Sequence, residues 1–253
     1  MRLTRRIESD GRFLFRWRSV VPLALVPAMA LALPESARIE QAMGDGVNHA
    51  ISFACLAISL AGLAVRWLTV GFVPAGTSGR STRDQRADQL NTTGLYATVR
   101  NPLYVGNFVA IAGVVLSLKV WWLAAIAGLG YWLYVERVVA AEESFLAERF
   151  GPRYLEWAER TPAFLPRWRN WVPPAEPFSV RTVLRREYNG VLAVGTSFLA
   201  VEALTDLVVK RQSPAEWISN DRAWLVVFAV ALVLFLVLRF LKKRTHVLDV
   251  KGR

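Results

Sequence analysis

Six apolar runs divide this chain, and clusters of arginine and lysine sit at their ends. The runs cover residues 20–33, 47–73, 103–118, 120–135, 191–209 and 223–241. A helix needs about 20 apolar residues to cross the hydrocarbon core of a bilayer. Most of these runs reach or approach that length. The first is short and is interrupted by Pro22 and Pro27. The expected fold class is therefore all-α: a polytopic integral membrane protein of about six transmembrane helices.

The placement of charge supports this reading. The chain carries a net charge of +11 although 54% of its residues are hydrophobic, a pairing that is rare in soluble domains. With a cytoplasmic N-terminus, Arg2, Arg5, Arg6, Arg12, Arg16 and Arg18 lie inside. So do Arg80, Arg83, Arg86, Arg100, the nine arginines from Arg137 to Arg186, and the tail Lys242-Lys243-Arg244. The other side keeps Arg38, Lys119, Lys210, Arg211 and Arg222. This is the positive-inside bias. It accounts for the basic balance without a nucleic-acid partner. Residues 1–33 share features with a cleaved leader, but their long basic start favours a retained helix. Cys55 lies inside the second run, so neither a disulfide framework nor a cysteine zinc site is expected.

Two segments concentrate polar groups beside the spans. In GLYATVRNPLYVGN, residues 94–107, Pro102 suits the first turn of a helix. Arg100 and Asn101 then stand at its mouth, with Tyr104 one turn inside. The second segment follows the fourth run. Residues 136–150 are rich in helix formers, and Gly151-Pro152 is a stop signal. Helical spacing puts Glu143 on a stripe with Val139, Leu146 and Phe150, so Glu143 is expected to be the more buried of the Glu142-Glu143 pair. A short helix is expected over 152–160 and extended chain over 161–166, where prolines restrain their neighbours. Trp168, Trp171 and Phe178 read as an interfacial belt. Together the two segments offer a cation, an amide, a phenol and two carboxylates, a set suited to a charged small molecule at the membrane surface.

The same residues resemble a known family. GLYATVRNPLYVGN followed by AEESFLAERFGPRYLEWAERTPAFLPR is similar to the isoprenylcysteine carboxyl methyltransferase and phospholipid N-methyltransferase superfamily, over about residues 93–166. The resemblance implies S-adenosylmethionine as cofactor and methyl transfer to a lipophilic or membrane-embedded acceptor at the cytoplasmic face. Carried over, the cofactor-binding residues are Tyr96, Arg100, Asn101, Pro102, Tyr104, Glu142, Glu143 and Tyr154. The catalytic candidates among them are Arg100, Asn101, Tyr104 and Glu143; no metal ligands are implied. Asn101 stands where the family motif has histidine, and an amide hydrogen-bonds but does not titrate. The implied organisation is a membrane segment and polar loop over 1–92, a catalytic core over 93–166, and an interfacial linker with two further spans over 167–253.

Two other functions fit the spans: a sterol-reductase-like NADPH oxidoreductase, or a non-catalytic lipid-binding protein. Leu103 and Asn107 depart from the reductase pattern. The remaining polar residues are expected to be structural. Arg66 should snorkel to the cytoplasmic face. Glu202, Asp206 and Lys210, spaced every four residues, should pair with one another. Arg185 to Tyr188 reads as an ordinary basic flank, with contact to a lipid phosphate or an acidic substrate as the alternative. His49 and His246 lie far from the motif. The expected partners are membrane lipids and a lipophilic substrate; the expected location is a bacterial inner membrane with both termini cytoplasmic. Oligomeric state is not legible.

Overall fold

A computed structural model describes residues 3–18, 20–74 and 87–250. Among these the chain is helical and has no strand; one isolated bridge joins Gly94 to Val172. Helix α1 (Leu3–Arg16) is followed by a 3-10 turn at Val21–Leu25 and then by α2 (Val26–Met43). Gly44, at φ 79°, links α2 to α3 (Asp45–Phe72). A one-turn helix, α4 (Leu95–Thr98), leads to α5 (Pro102–Ser117) and α6 (Trp121–Phe150). Then come α7 (Pro152–Arg160), α8 (Val180–Ala203) with a π-helical end at Leu204–Val209, and α9 (Pro214–Arg244). Most of the polar loop before residue 87 and its Arg80, Arg83 and Arg86 lie outside the described residues.

The all-α polytopic class holds, with a lower count of spans. Four helical stretches are long and apolar enough to cross a membrane: α3, α6, Val180–Val209 and α9. A fifth counts if Ser9–Arg16 and Val21–Met43 are taken as one span bent by 93°. The expected third span is α5, whose 16 residues give about 24 Å of helix, short of the ~30 Å core. Lys119, at φ 61°, then turns the chain into α6. Val226, Val230, Val233, Val237 and Phe240 of α9 are exposed, a face suited to lipid.

Close packing of α3 on α5 is permitted by glycine. A Cβ on Gly62 would lie 2.6 Å from the Gly106 carbonyl oxygen, and one on Gly106 would lie 2.7 Å from Arg66 Cγ. Two apolar clusters fill the bundle. Ala32 and Leu33 of α2 pack with Val115, Leu118, Leu123 and Val201. Cys55 and Leu63 of α3 pack with Val194, Phe198 and Trp224, the last two rings stacked at 5.4 Å.

Three expectations need correcting. Arg66 does not snorkel. Its Nε donates to Glu187 Oε2 at 2.8 Å and its Nη1 to Asn107 Oδ1 at 2.6 Å. Close packing of α3 on α5 and on α8 brings these partners within reach, so the charge is paired inside the bundle. The ladder on α8 forms only in part: Lys210 pairs with Asp206 at 2.7 Å and with Glu40 at 2.8 Å, leaving Glu202 outside it. The π-helical segment alters the four-residue spacing there. Third, Glu143 is not set apart as the more buried of the pair: both carboxylates are half-buried, and the Glu143 side chain is 30% exposed. The buried face of α6 runs through Val135, Val138 and Val139, and helical spacing continues it to Glu142 as well as Glu143. Helix α1, unforeseen, packs on α6, with Gly11 against the Arg137 carbonyl.

Candidate active site

The motif segment is strapped in place by the chain that follows α7. Gly94 takes φ 61°, which favours glycine, and opens α4. The Arg100 backbone N–H donates to the Pro162 carbonyl at 2.9 Å, and the Arg167 N–H to the Thr98 carbonyl at 2.9 Å. Trp157 Nε1 donates to the Tyr96 carbonyl at 3.3 Å. Prolines at 162 and 166 hold residues 161–166 outside regular helix, as expected, so their carbonyls face the motif instead of one another.

Within this frame the two segments meet. Arg100 Nε lies 3.0 Å from Glu143 Oε1, and Arg100 Nη1 donates to the Ala158 carbonyl at 2.9 Å. The Tyr104 hydroxyl donates to Glu142 Oε1 at 3.2 Å. Both carboxylates come from the last turns of α6; Tyr104 comes from the first turn of α5 and Arg100 from the residues just before it. These groups stand at one end of a cavity of about 1100 Å³. Tyr96, Arg100, Asn101, Tyr104, Glu142, Glu143 and Tyr154 all line it. Pro102 is buried and lies behind its wall. Away from this end the lining turns apolar, with Met29, Leu33, Ile111, Val115, Val194 and Val201 from α2, α5 and α8. The Arg100–Glu143 pair also borders a smaller pocket of about 370 Å³ toward Tyr154 and Ala158.

The polar groups differ in how far they are committed. Asn101 Nδ2 donates to the Ala163 carbonyl at 3.2 Å, so this amide helps hold the strap. At the start of α5, Pro102 has no N–H, and the N–H groups of Tyr104 and Val105 both return to the Asn101 carbonyl at 3.1 Å. Helix start α5 therefore offers an anion less than a free N-terminus would. Arg100 Nε and Glu143 Oε1 attract one another, yet neither atom completes a well-aligned hydrogen bond. Desolvation first, and then the charge of Glu142, push the Tyr96 hydroxyl up to about 12. Desolvation first, then the charge of Glu143, raise that of Tyr154. Both phenols are neutral at physiological pH.

Other cavity residues were not foreseen. Arg18 enters from the corner after α1. Arg66, Asn107 and Glu187 form the paired group described above and line the same space, as do Tyr131, Tyr134 and Arg186. Tyr131 donates to the Tyr104 carbonyl at 2.6 Å. An arginine inside an apolar run was the signal for Arg66; nothing local marked Arg18.

The fold and site define a helical membrane protein whose polar pocket opens into an apolar cavity. Residues 50–153 match the model of the phospholipid methyltransferase family. The chain is 39% identical over 119 residues to the nickel-cobalt-cadmium resistance protein NccN of Alcaligenes xylosoxydans xylosoxydans, covering 46% of this chain and 52% of that protein. It is 33% identical over 117 residues to the cobalt-zinc-cadmium resistance protein CzcN of Cupriavidus metallidurans, covering 46% and 49%. It is 28% identical over 122 residues to the protein-S-isoprenylcysteine O-methyltransferase of Schizosaccharomyces pombe, covering 47% and 49%. The chain thus spans about half the length of the curated relatives it matches. No solved structure matches it significantly.

Proposed function

We propose that this protein transfers a methyl group from S-adenosylmethionine to a lipophilic or membrane-embedded acceptor. The reaction takes place at the cytoplasmic face of a bacterial inner membrane, and both termini are cytoplasmic. The observation that carries this reading is the meeting of Arg100–Glu143 and Tyr104–Glu142 at the polar end of a mainly apolar cavity. Two relatives are named for metals and not for a reaction. The reaction class therefore rests on the phospholipid methyltransferase family match and on the isoprenylcysteine methyltransferase relative.

The residues fit an amino-acid sulfonium. Arg100 Nε and Glu143 Oε1 retain hydrogen-bonding capacity, so the guanidinium serves the carboxylate of the methionine portion and Glu143 its ammonium. Glu142 and Tyr104, hydrogen-bonded to one another beside this pair, suit ribose hydroxyls. The neutral ring faces of Tyr96 and Tyr154 favour a positive charge beside them. When bound, S-adenosylmethionine supplies an electrophilic methyl group. Asn101 holds the strap and takes no proton, so the acceptor arrives with a free lone pair, as a carboxylate does, or loses its proton to another group. The apolar length of the cavity receives the acceptor's hydrocarbon part and excludes water.

The test is direct. Detergent-purified protein is incubated with tritium-labelled methyl donor and a bacterial lipid extract or a prenylated cysteine analogue. Label should enter the organic phase with wild type and fall sharply with Glu143→Gln. No protein-dependent label with either acceptor class would contradict the reading.

A further inference from the structure

A second polar cluster lies at the opposite ends of the spans. It gathers Glu40 of α2, Asn48, His49 and Ser52 of α3, Lys119 of the α5–α6 turn, Glu202 and Asp206 of α8 and its π-helical end, and Asp221 of α9. Glu202, Asp206 and Asp221 are all buried, at 3%, 2% and 7% exposure. One carboxylate oxygen from each lies within 4.8 Å of the others. A single cation about 2.0–2.6 Å from each oxygen fits such a spacing.

The charges in the cluster do not balance. Glu40 takes both ammonium groups, Lys119 at 3.1 Å and Lys210 at 2.8 Å, and Lys210 also reaches Asp206. Among the described residues no lysine or arginine pairs with Glu202 or Asp221. Asp221 has His49 Nε2 at 3.0 Å. Buried carboxylates without a counter-charge are costly, and bound metals are one of the ways proteins compensate them.

An independent observation points to a ligand. Asn48 Oδ1 is buried and has no hydrogen-bond partner, in a residue only 6% exposed. Its direction follows from the packing of α3 against α8. Cys55 packs in one cluster with Phe198. One turn further along each helix, Ser52 stands near Glu202, its buried Oγ without a hydrogen-bond partner. Another turn brings Asn48 level with Asp206, beside His49 and its partner Asp221. Asn48 shares the buried face of α3 with Ser52, so its unpartnered amide oxygen lies on the face of α3 that meets the acidic end of α8. Both acidic residues farthest along sit on irregular backbone: Asp206 in the π-helical segment, and Asp221 at a kink with φ −114° and ψ 20°.

We propose that Glu202, Asp206 and Asp221, with the side-chain oxygen of Asn48, bind one divalent metal cation. The donors are oxygens, which suit hard to borderline ions such as Mn²⁺. His49 holds Asp221 in position through its 3.0 Å contact. The cation supplies the two positive charges that the lysines do not. The site is separate from the pocket at Arg100 and does not depend on its function.

The experiment is an electron paramagnetic resonance titration of Mn²⁺ with the detergent-purified full chain, in which the sharp signal of the free ion falls on binding. Saturable binding of one Mn²⁺ per chain is expected, with displacement by Co²⁺, which binds such sites more tightly. Glu202→Gln and Asp221→Asn should each weaken binding at least tenfold, and the distant Glu148→Gln should leave it unchanged. Size-exclusion chromatography checks that each variant is folded; if Asp221→Asn is not, Glu202→Gln decides. Absence of saturable Mn²⁺ binding by wild type, or unchanged affinity in folded Glu202→Gln, overturns the proposal; neutralisation by shared protons would then explain the cluster.

Discussion

Tyr104 Oη donates to Glu142 Oε1 across 3.2 Å, tying the first turn of α5 to the last turns of α6. The bond joins two helices that the chain connects only at the far ends of the bundle. It thus sets the width of the polar pocket. Tyr104→Phe keeps the ring and removes the donor. It should cost about 0.5–1.5 kcal/mol of stability and weaken S-adenosylhomocysteine binding. A thermal midpoint and a binding titration on the same sample check both.

Glu187 is the carboxylate partner of Arg66, at 2.7 Å, and is only 7% exposed. Removing it strands a guanidinium inside the bundle. Glu187→Leu should destabilise by about 3–5 kcal/mol, the cost typical of a broken buried pair. Arg66→Met combined with Glu187→Leu should recover much of that loss. A double-mutant cycle by denaturant unfolding in detergent measures it. Additive losses would contradict a direct coupling.

High pH tests the neutral phenol at Tyr96. Its folded value is pushed up to about 12, against about 10 for a free tyrosine. The folded state therefore binds this proton more tightly than the unfolded state. The sign is fixed by linkage: the contribution is fully present below pH 10 and is lost as pH rises toward 12. Tyr96→Phe should flatten the fall in thermal midpoint over this window. An identical fall in both proteins would contradict the assignment.

Orientation is read with cysteine chemistry. Cys55 is buried and gives little background. Glu159 lies on the motif face and Arg222 on the other, both exposed. In intact cells a membrane-impermeant maleimide should label Arg222→Cys, and should label Glu159→Cys only after lysis. The reverse pattern would put the pocket on the wrong face.

Local signals read well in this sequence, and long-range ones did not. Pro102 and the Gly151-Pro152 stop fall where helices begin and end, because they act through their own backbone. The resemblance placed Arg100 and Glu143 in one candidate site, and their side chains lie 3.0 Å apart. The stripe drawn for Glu143 did not separate it from Glu142, since α1 packs on α6 as well as the bundle and both carboxylates end half-buried. Arg66 was misplaced because snorkelling is a single-helix argument, and its partners are 41 and 121 residues away. Counting apolar runs overstated the spans because α5 is closed by Lys119 before it reaches full length.

The account rests most directly on cofactor binding at the Arg100–Glu143 pocket. Isothermal titration of S-adenosylhomocysteine into the purified protein is the measurement. Wild type should bind, and NADPH should give no saturable heat. Glu143→Gln should bind more weakly by about 1.5–3 kcal/mol, the worth of a hydrogen bond to a charged group, and Glu148→Gln, on the same helix but outside the pocket, should match wild type. No binding by wild type, or equal affinity in wild type and Glu143→Gln, would contradict the account.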